Sequence, residues 1–181
     1  MMSKPRSKPS DEATAEQLKL ACKQGAAYQE ALRYIIDKVV EQGGKQEADD
    51  YLIAFAQEKA EGMNHLDGDG ELTWAEPDGE NCHLEIAVCD KADQRFIPGL
   101  DIEATLISEA GVRIGPFTMP FLWHPGLYHY GRNITLPGSG MYTLRIRISP
   151  PNFGRHDKTN GKRYARTVEV EFAQVPLKAG S

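Results

Sequence analysis

The chain has 181 residues, a formal net charge of -5 and an ordinary apolar fraction of 40%. A chain of this length can bury a sizeable core without disulfide bonds. Its moderate charge argues against an intrinsically disordered chain and gives no indication of nucleic-acid binding. Three cysteines, Cys22, Cys82 and Cys89, lack CxxC spacing and therefore predict neither a disulfide framework nor a zinc ribbon. We interpret them as small apolar residues that are buried.

The start of the sequence carries positive charge but has no apolar run behind it, which is not the pattern of a secretory leader. No run anywhere reaches the ~18 apolar residues that a membrane-spanning helix needs. These features predict a soluble, cytoplasmic protein without a membrane span, unless a leader has been removed.

The polar sequence of residues 1–10 predicts a disordered tail, and the apolar periodicity of residues 11–62 predicts a helical hairpin. Thr14 and Gln17 form a possible capping box at the start of the first helix, which Gly43-Gly44 would end. A second helix is expected at about residues 46–60. Because an isolated hairpin cannot bury its apolar stripe, it should pack on the next domain or on a second subunit. The stripe of the first helix comprises Leu18, Cys22, Gly25, Tyr28, Leu32, Ile35, Ile36, Val39 and Val40.

Residues 63–80 are predicted to form a linker, although part of this segment resembles a calcium-binding EF-hand loop. Acids at Asp67 and Asp69, Gly70 and Glu76 fit loop positions 3, 5, 6 and 12. Position 1 is His65 rather than Asp, and a proline directly after the loop forbids the exit helix. We therefore interpret the segment as a glycine-rich linker.

The apolar period changes from 3.6 to 2 after about residue 72, which predicts β-strands. Turn sequences separate these strands, and no helical segment lies between them. The pattern predicts an antiparallel immunoglobulin-like β-sandwich over residues 81–175, followed by a tail at 176–181. The alternating inward residues include Leu84, Ile86, Val88, Leu144, Ile146, Ile148, Val168 and Val170.

Charge is unevenly distributed along the chain. Residues 11–80 hold 17 acidic against six basic residues, whereas residues 145–166 hold seven basic residues against Asp157 alone. A local net charge of about +6 could attract an anionic partner or a carboxylate-bearing iron chelate, or it could be a solvated edge of the sandwich.

Four of the five histidines fall in the predicted sandwich: His83, His124, His129 and His156. His83 and Glu85 lie two apart in a strand, so both side chains project from the same face. Neutral imidazole together with carboxylate suits iron, copper or zinc. These residues therefore predict a transition-metal site, although histidines that only hydrogen-bond within tight loops remain an equal alternative.

The segments HLE, FTMPF, HYGRN, PGSGMYTL, PP and GRH occur in this order over roughly residues 80–175. This order resembles the bacterial periplasmic iron-transport protein family, whose general pattern is HLE, FMPM, GPHYGxN, PGxGxYxL, PP and GRH. The resemblance implies an immunoglobulin-like fold, a homodimer, and a copper site of His, Met and Glu residues. It also implies a role in ferrous-iron uptake, an iron permease as a partner and a periplasmic location.

The same resemblance puts His83, Glu85, His129 and His156 at metal-ligand positions. The methionine ligand of the family corresponds here to Phe121, which cannot coordinate a metal. We expect His124 to replace it, because the segment before His129 is about one residue longer than in the family. Met119, which matches the first methionine of FMPM, is the competing candidate.

The sequence shows no nucleophile elbow, P-loop or dinucleotide fingerprint. We therefore expect a metal-binding protein of iron uptake or handling, and not an enzyme, that holds Cu or Fe with Zn possible in vitro. The alternatives are a metal-dependent oxidoreductase acting on iron and a protein-interaction sandwich without metal.

Overall fold

The computed structural model describes residues 7–38 and 42–180. In these ranges one helix precedes eleven strands. Their bounds are α1 Ala15–Lys38, β1 Gln42–Ala48, β2 Tyr51–Glu58, β3 Met63–Leu66, β4 Leu72–Ala75, β5 Cys82–Asp90, β6 Ile102–Ser108, β7 Arg113–Thr118, β8 Phe121–Trp123, β9 Tyr128–Ile134, β10 Gly140–Ile148 and β11 Val168–Leu177.

Two antiparallel sheets enclose the core. One has five strands in the order β1-β2-β5-β9-β8, the other four in the order β11-β10-β6-β7, and β3 pairs with β4 in a separate hairpin. Apolar residues from both large sheets form one buried cluster, which confirms the predicted antiparallel sandwich. The immunoglobulin-like character of this sandwich stays a prediction.

Strand β5, which carries His83 and Glu85, is buried on both of its faces. Leu84, Ile86 and Val88 point into the core between the sheets. Successive strand residues point in opposite directions, so His83 and Glu85 lie on the outer face of the five-stranded sheet. The helix α1 covers part of this outer face.

The predicted capping box of α1 is confirmed. The N–H of Thr14 donates to Gln17 Oε1 at 2.7 Å, and the N–H of Gln17 donates to Thr14 Oγ1 at 3.2 Å. Leu32 packs against Ala54 and Ala87, so the helix lies on the sandwich as expected. Cys22 is exposed, which corrects its predicted burial, whereas Cys82 and Cys89 are buried. Residues 39–41, which include Val39 and Val40 of the predicted stripe, lie outside the described residues.

The predicted second helix at residues 46–60, and with it the helical hairpin over 11–62, is wrong. Strands β1 and β2 form an antiparallel hairpin instead, and Gly43-Gly44 lies within β1. Residues Tyr51–Ala56 are all buried, because one face of β2 meets the core and the other faces outward toward α1. A continuous apolar run of this kind has no period that separates strand from helix. The sandwich therefore begins at Gln42 rather than at residue 81.

The predicted tails and linker also contain ordered structure. Ser10 Oγ donates to Asp157 Oδ2 at 2.7 Å, although residues 1–6 lie outside the described part of the chain. At the other end β11 runs to Leu177, beyond the predicted boundary at 175. Within 63–80, the β3-β4 turn is closed by Asp67 Oδ1, which accepts from the N–H groups of Asp69 and Glu71. No described helix has the length and apolarity to cross a membrane.

Candidate metal centre

Three side chains from two neighbouring strands converge on the outer face of the five-stranded sheet. In the antiparallel register Glu85 of β5 pairs with Gly131 of β9, which places His129, Gly131, His83 and Glu85 on one face. Ligand atoms of the two histidines and Glu85 all lie within 4.8 Å of one another. Glu85 Oε1 is 3.2 Å from His129 Nε2 and 3.8 Å from His83 Nε2. The sequence-predicted ligands His83, Glu85 and His129 therefore form one group.

Asn133 fixes the tautomer of His83. Its side-chain Nδ2 donates to the carbonyl oxygen of Glu61 at 2.7 Å, which leaves Oδ1 to accept. His83 Nδ1 lies 2.8 Å from this Oδ1 and must therefore carry the proton. The lone pair of His83 Nε2 is then directed toward the group, as in metal sites where a neighbour orients the imidazole.

The surroundings of His129 also leave the lone pair of its Nε2 available. Burial, followed by the nearby His83, lowers the pKa of His129 to about 4. A hydrogen bond to the backbone of Leu127 favours the protonated form but is the weaker effect. Its Nε2 is buried and has no hydrogen-bond partner among the described residues, although Glu85 Oε1 lies 3.2 Å away. A buried nitrogen without a partner is costly unless something binds it. His129 thus offers a free lone pair to the centre.

Burial sets the protonation of the other two members of the group. It lowers the pKa of His83, so this imidazole is also neutral at pH 7. Burial, together with the nearby Glu58 and Glu61, raises the pKa of Glu85 to about 8. At neutral pH the group thus holds two neutral imidazoles and a protonated carboxyl. A cation bound between them would favour the carboxylate form.

Gly131 leaves the space in which an ion would lie. A Cβ at this position would be 2.9 Å from His83 Nε2, 3.1 Å from His129 Cδ2 and 2.8 Å from Leu122 Cδ1. Any larger residue would crowd both imidazoles. Because two imidazoles border the position that a Cβ would fill, and one has a buried nitrogen without a partner among the described residues, these residues fit a transition-metal ion bound by nitrogen and oxygen donors.

Leu122 faces the centre, whereas Phe121, the residue matched to the family's methionine, does not. Strand β8 pairs Leu122 with His129 and Phe121 with Tyr130, which is buried in the core. Phe121 stacks on Tyr128 and is 46% exposed. The β8 residue next to the histidines is therefore the aliphatic Leu122. The family pattern had assigned this position to Phe121, one residue earlier along the strand.

The other predicted ligands lie outside the group. His124 is exposed, its ring centre is 6.2 Å from that of His129, and its Nδ1 accepts from the N–H of Gly126. Met119 is 1% exposed within the core between the sheets and cannot face the centre, which removes it as the competing ligand. His156 has a 92% exposed side chain, and its Nδ1 lies 3.0 Å from Glu12 Oε2. Within one chain, His156 therefore does not join the centre.

Sequence reasoning missed Gly131, Asn133 and Leu122. Two-residue alternation from His129 along its strand would have indicated the first two, because residues 129, 131 and 133 share a face. Sequence reasoning predicted α1 and its packing on another domain or subunit, but it did not predict that Leu32 and Ile35 of this helix line a cleft beside Glu85 and His129. The sequence contains no local signal for that long-range packing.

A β-sandwich that presents two oriented imidazoles and a carboxyl group on one face defines a class of metal-binding proteins. The comparisons with known proteins agree, since the family model of the Fe2+ transport protein matches residues 40–176. The chain belongs to this Fe2+ transport protein family. Membership in this family supports a metal-binding role in iron handling.

Solved structures with the same fold include FetP from uropathogenic Escherichia coli strain F11 and P19 from Campylobacter jejuni. FetP is 21% identical at a TM-score of 0.60, with 75% of this chain and 94% of FetP covered. A copper-bound methionine-to-isoleucine variant of P19 is 21% identical at a TM-score of 0.64, with 77% of this chain and 97% of P19 covered.

Curated relatives include UPF0423 proteins of Brucella abortus and Brucella suis. Each is 38% identical over 79 residues, which is 39% of this chain. The match spans only 42% of the length of these relatives.

Proposed function

We propose that the protein binds a transition-metal ion, Cu or Fe, at His83, Glu85 and His129 and serves iron uptake or iron handling without being an enzyme. The observation that carries this proposal is the convergence of His83 Nε2 and His129 Nε2 on Glu85 Oε1, with His129 Nε2 buried and without a hydrogen-bond partner among the described residues. Both rings are neutral at pH 7, which is the form that coordinates a metal.

The donor set favours some ions over others. Nitrogen and oxygen donors without sulfur suit Cu(II), Zn(II) and Fe(II) better than Cu(I). Zn(II) binding in vitro is expected, because affinity alone does not select the ion carried in the cell. Copper-bound structures of P19 and FetP variants support a copper-binding site on this fold.

His124 and His156 complete the proposed ligand set in two different ways. Rotation of the exposed His124 would bring its free Nε2 toward His129, whose ring centre is 6.2 Å away. His156 would have to leave Glu12 and come from a second copy of the chain in a homodimer, an arrangement that the family resemblance implies. Its high exposure is compatible with such a role.

We assign the protein to the periplasm, with an iron permease as its partner. The support is family membership and the similarity to FetP, described as recombinantly expressed in the periplasm of E. coli. The cytoplasmic expectation finds no support in these comparisons.

A metal-dependent oxidoreductase acting on iron is the second candidate. Three protein ligands leave coordination positions open, and an open position permits chemistry at the metal. Multiple-turnover oxidation of Fe(II) by added dioxygen, catalysed by the Cu(II)-loaded protein, would favour this candidate over a binding role. A protein-interaction sandwich without metal is the third candidate, and it predicts no specific metal binding at all.

The direct test is titration of the untagged protein with Cu(II), Zn(II), Mn(II) and Fe(II), together with two histidine variants. His129→Ala should lower the affinity at least tenfold, or about 1.4 kcal/mol, because it removes the free Nε2. His65→Ala is the matched control, since His65 is exposed in the β3-β4 hairpin. Equal affinities of His129→Ala and the wild type would refute the site.

A further inference from the structure

The helix α1 lies outside residues 40–176, the part of the chain that matches the family model, yet it packs beside the metal centre. Leu32 of α1 contacts Ala54 and Ala87, the neighbours of the centre on strands β2 and β5. Leu32 and Ile35 also line the cleft that Glu85 and His129 border. One side of the centre is therefore formed by an element that the family model does not include.

Three contacts hold α1 in this place. Gly25 meets the backbone of Asp93 so closely that a Cβ would lie 1.8 Å from its carbonyl oxygen. Gln29 Nε2 donates to the buried Cys89 Sγ at 3.4 Å. Tyr28 donates its hydroxyl proton to the carbonyl oxygen of Tyr128 at 2.5 Å, directly before the ligand His129. The docking therefore depends on small and specific side chains.

We propose that α1 forms one wall of the metal pocket. While α1 is docked, this wall excludes metal ions that carry bulky organic chelators and slows the exchange of a bound ion. This inference rests on the proposed function. The cleft beside Glu85 and His129 is lined by Leu32, Ile35 and Leu127, which offer no hydrogen bonds. A polar chelator that entered there would lose its hydration without replacement, and that loss is costly.

Gly25→Leu in the full-length protein tests this wall without altering a metal ligand. The leucine side chain cannot fit against Asp93, so α1 should be displaced from the sheet. Ala26→Leu is the matched control, because Ala26 is the exposed neighbour on the same helix. Each protein is loaded with Cu(II), excess EDTA is added, and the rate of copper loss is followed by absorbance. We expect Gly25→Leu to lose copper at least tenfold faster than the wild type and Ala26→Leu.

Alkylation of Cys89, located by peptide mass spectrometry, reports separately whether α1 has been displaced. Cys89 is 1% exposed beneath Gln29, so its labelling should increase in Gly25→Leu only. Increased labelling with an unchanged rate of copper loss would overturn the inference, as would unchanged labelling. If circular dichroism shows Gly25→Leu to be unfolded, Tyr28→Phe replaces it in the same experiment. We then expect Tyr28→Phe to lose copper several-fold faster than the wild type, and an unchanged rate would refute the inference. A wild-type protein that binds no Cu(II) would instead refute the proposed function itself.

Discussion

At the position of Leu122 the metal centre presents a methyl group where a further donor could contact a bound ion. Leu122 Cδ1 borders the space above Gly131 that His83 and His129 also border. A thioether in this space would add a soft ligand, which Cu(I) prefers. If the proposed site binds a metal, we expect the aliphatic side chain of Leu122 to favour harder ions there.

Leu122→Met is predicted to raise the affinity for Cu(I) at least tenfold with little change for Zn(II). Competition with a colorimetric Cu(I) chelator measures this affinity. Phe121→Met is the matched control, because Phe121 pairs with the core residue Tyr130 and does not face the centre. A gain in Phe121→Met alone would show that β8 has the register assigned from the family pattern instead.

At the proposed site, we expect Glu85 to determine how metal binding depends on pH. Burial, assisted by Glu58 and Glu61, raises the pKa of Glu85 to about 8, so below that pH an incoming ion must displace its proton. Affinity for Cu(II) should therefore rise about tenfold per pH unit between roughly pH 6 and 8. In Glu85→Gln this slope should vanish, because the amide has no proton to release. Titrations at several pH values measure the slope, and a slope retained in the variant would contradict this role.

Among the structural elements, the segment between β10 and β11 is attached to the sandwich through a buried carboxylate. Arg163 Nη1 donates to Asp90 Oδ2 at 2.5 Å, and the Tyr164 hydroxyl donates to the same oxygen. Burial alone would raise the pKa of Asp90, but these hydrogen bonds hold it below its usual value. The ring of Tyr164 also stacks on the buried Tyr51.

Asp90→Ala should lower the free energy of unfolding by about 3 kcal/mol, since it leaves the guanidinium group without its partner. Chemical denaturation measures the change, and Asp101→Ala is the control because Asp101 is exposed. The depressed pKa means that the stabilisation is present at neutral pH and is lost as pH falls below the usual aspartate range. Equal stability of the two variants would show that the Asp90 contacts contribute little.

The strands with one exposed face could be predicted from sequence, because β10 and β11 alternate apolar and polar residues. The strand β2 could not, because α1 and the core bury both of its faces and remove the alternation. At the site, the HLE segment indicated two residues, His83 and Glu85, that the structure brings together with His129; their role as metal ligands stays a prediction. The role of Leu122 depends on the register between β8 and β9, and a shift of one residue exchanges the two faces of a strand.

At the scale of the whole molecule, the chain combines a family sandwich with an N-terminal segment that contacts it at two places. Residues 7–12 meet the segment that carries His156, through Ser10 to Asp157 and Glu12 to His156. The helix α1 meets the face that carries His83, Glu85 and His129. In the proposed homodimer, His156 would exchange its contact with Glu12 for a metal ion on the second copy.

Anomalous diffraction from crystals of the Cu(II)-loaded protein locates the ion and tests the central claim most directly. We predict a peak about 2 Å from the Nε2 atoms of His83 and His129, with a Glu85 carboxylate oxygen at a similar distance. In a homodimer, the same map would show whether His156 of a second copy contacts that ion. A fully occupied peak elsewhere, with none above Gly131, would contradict the assignment of the metal centre.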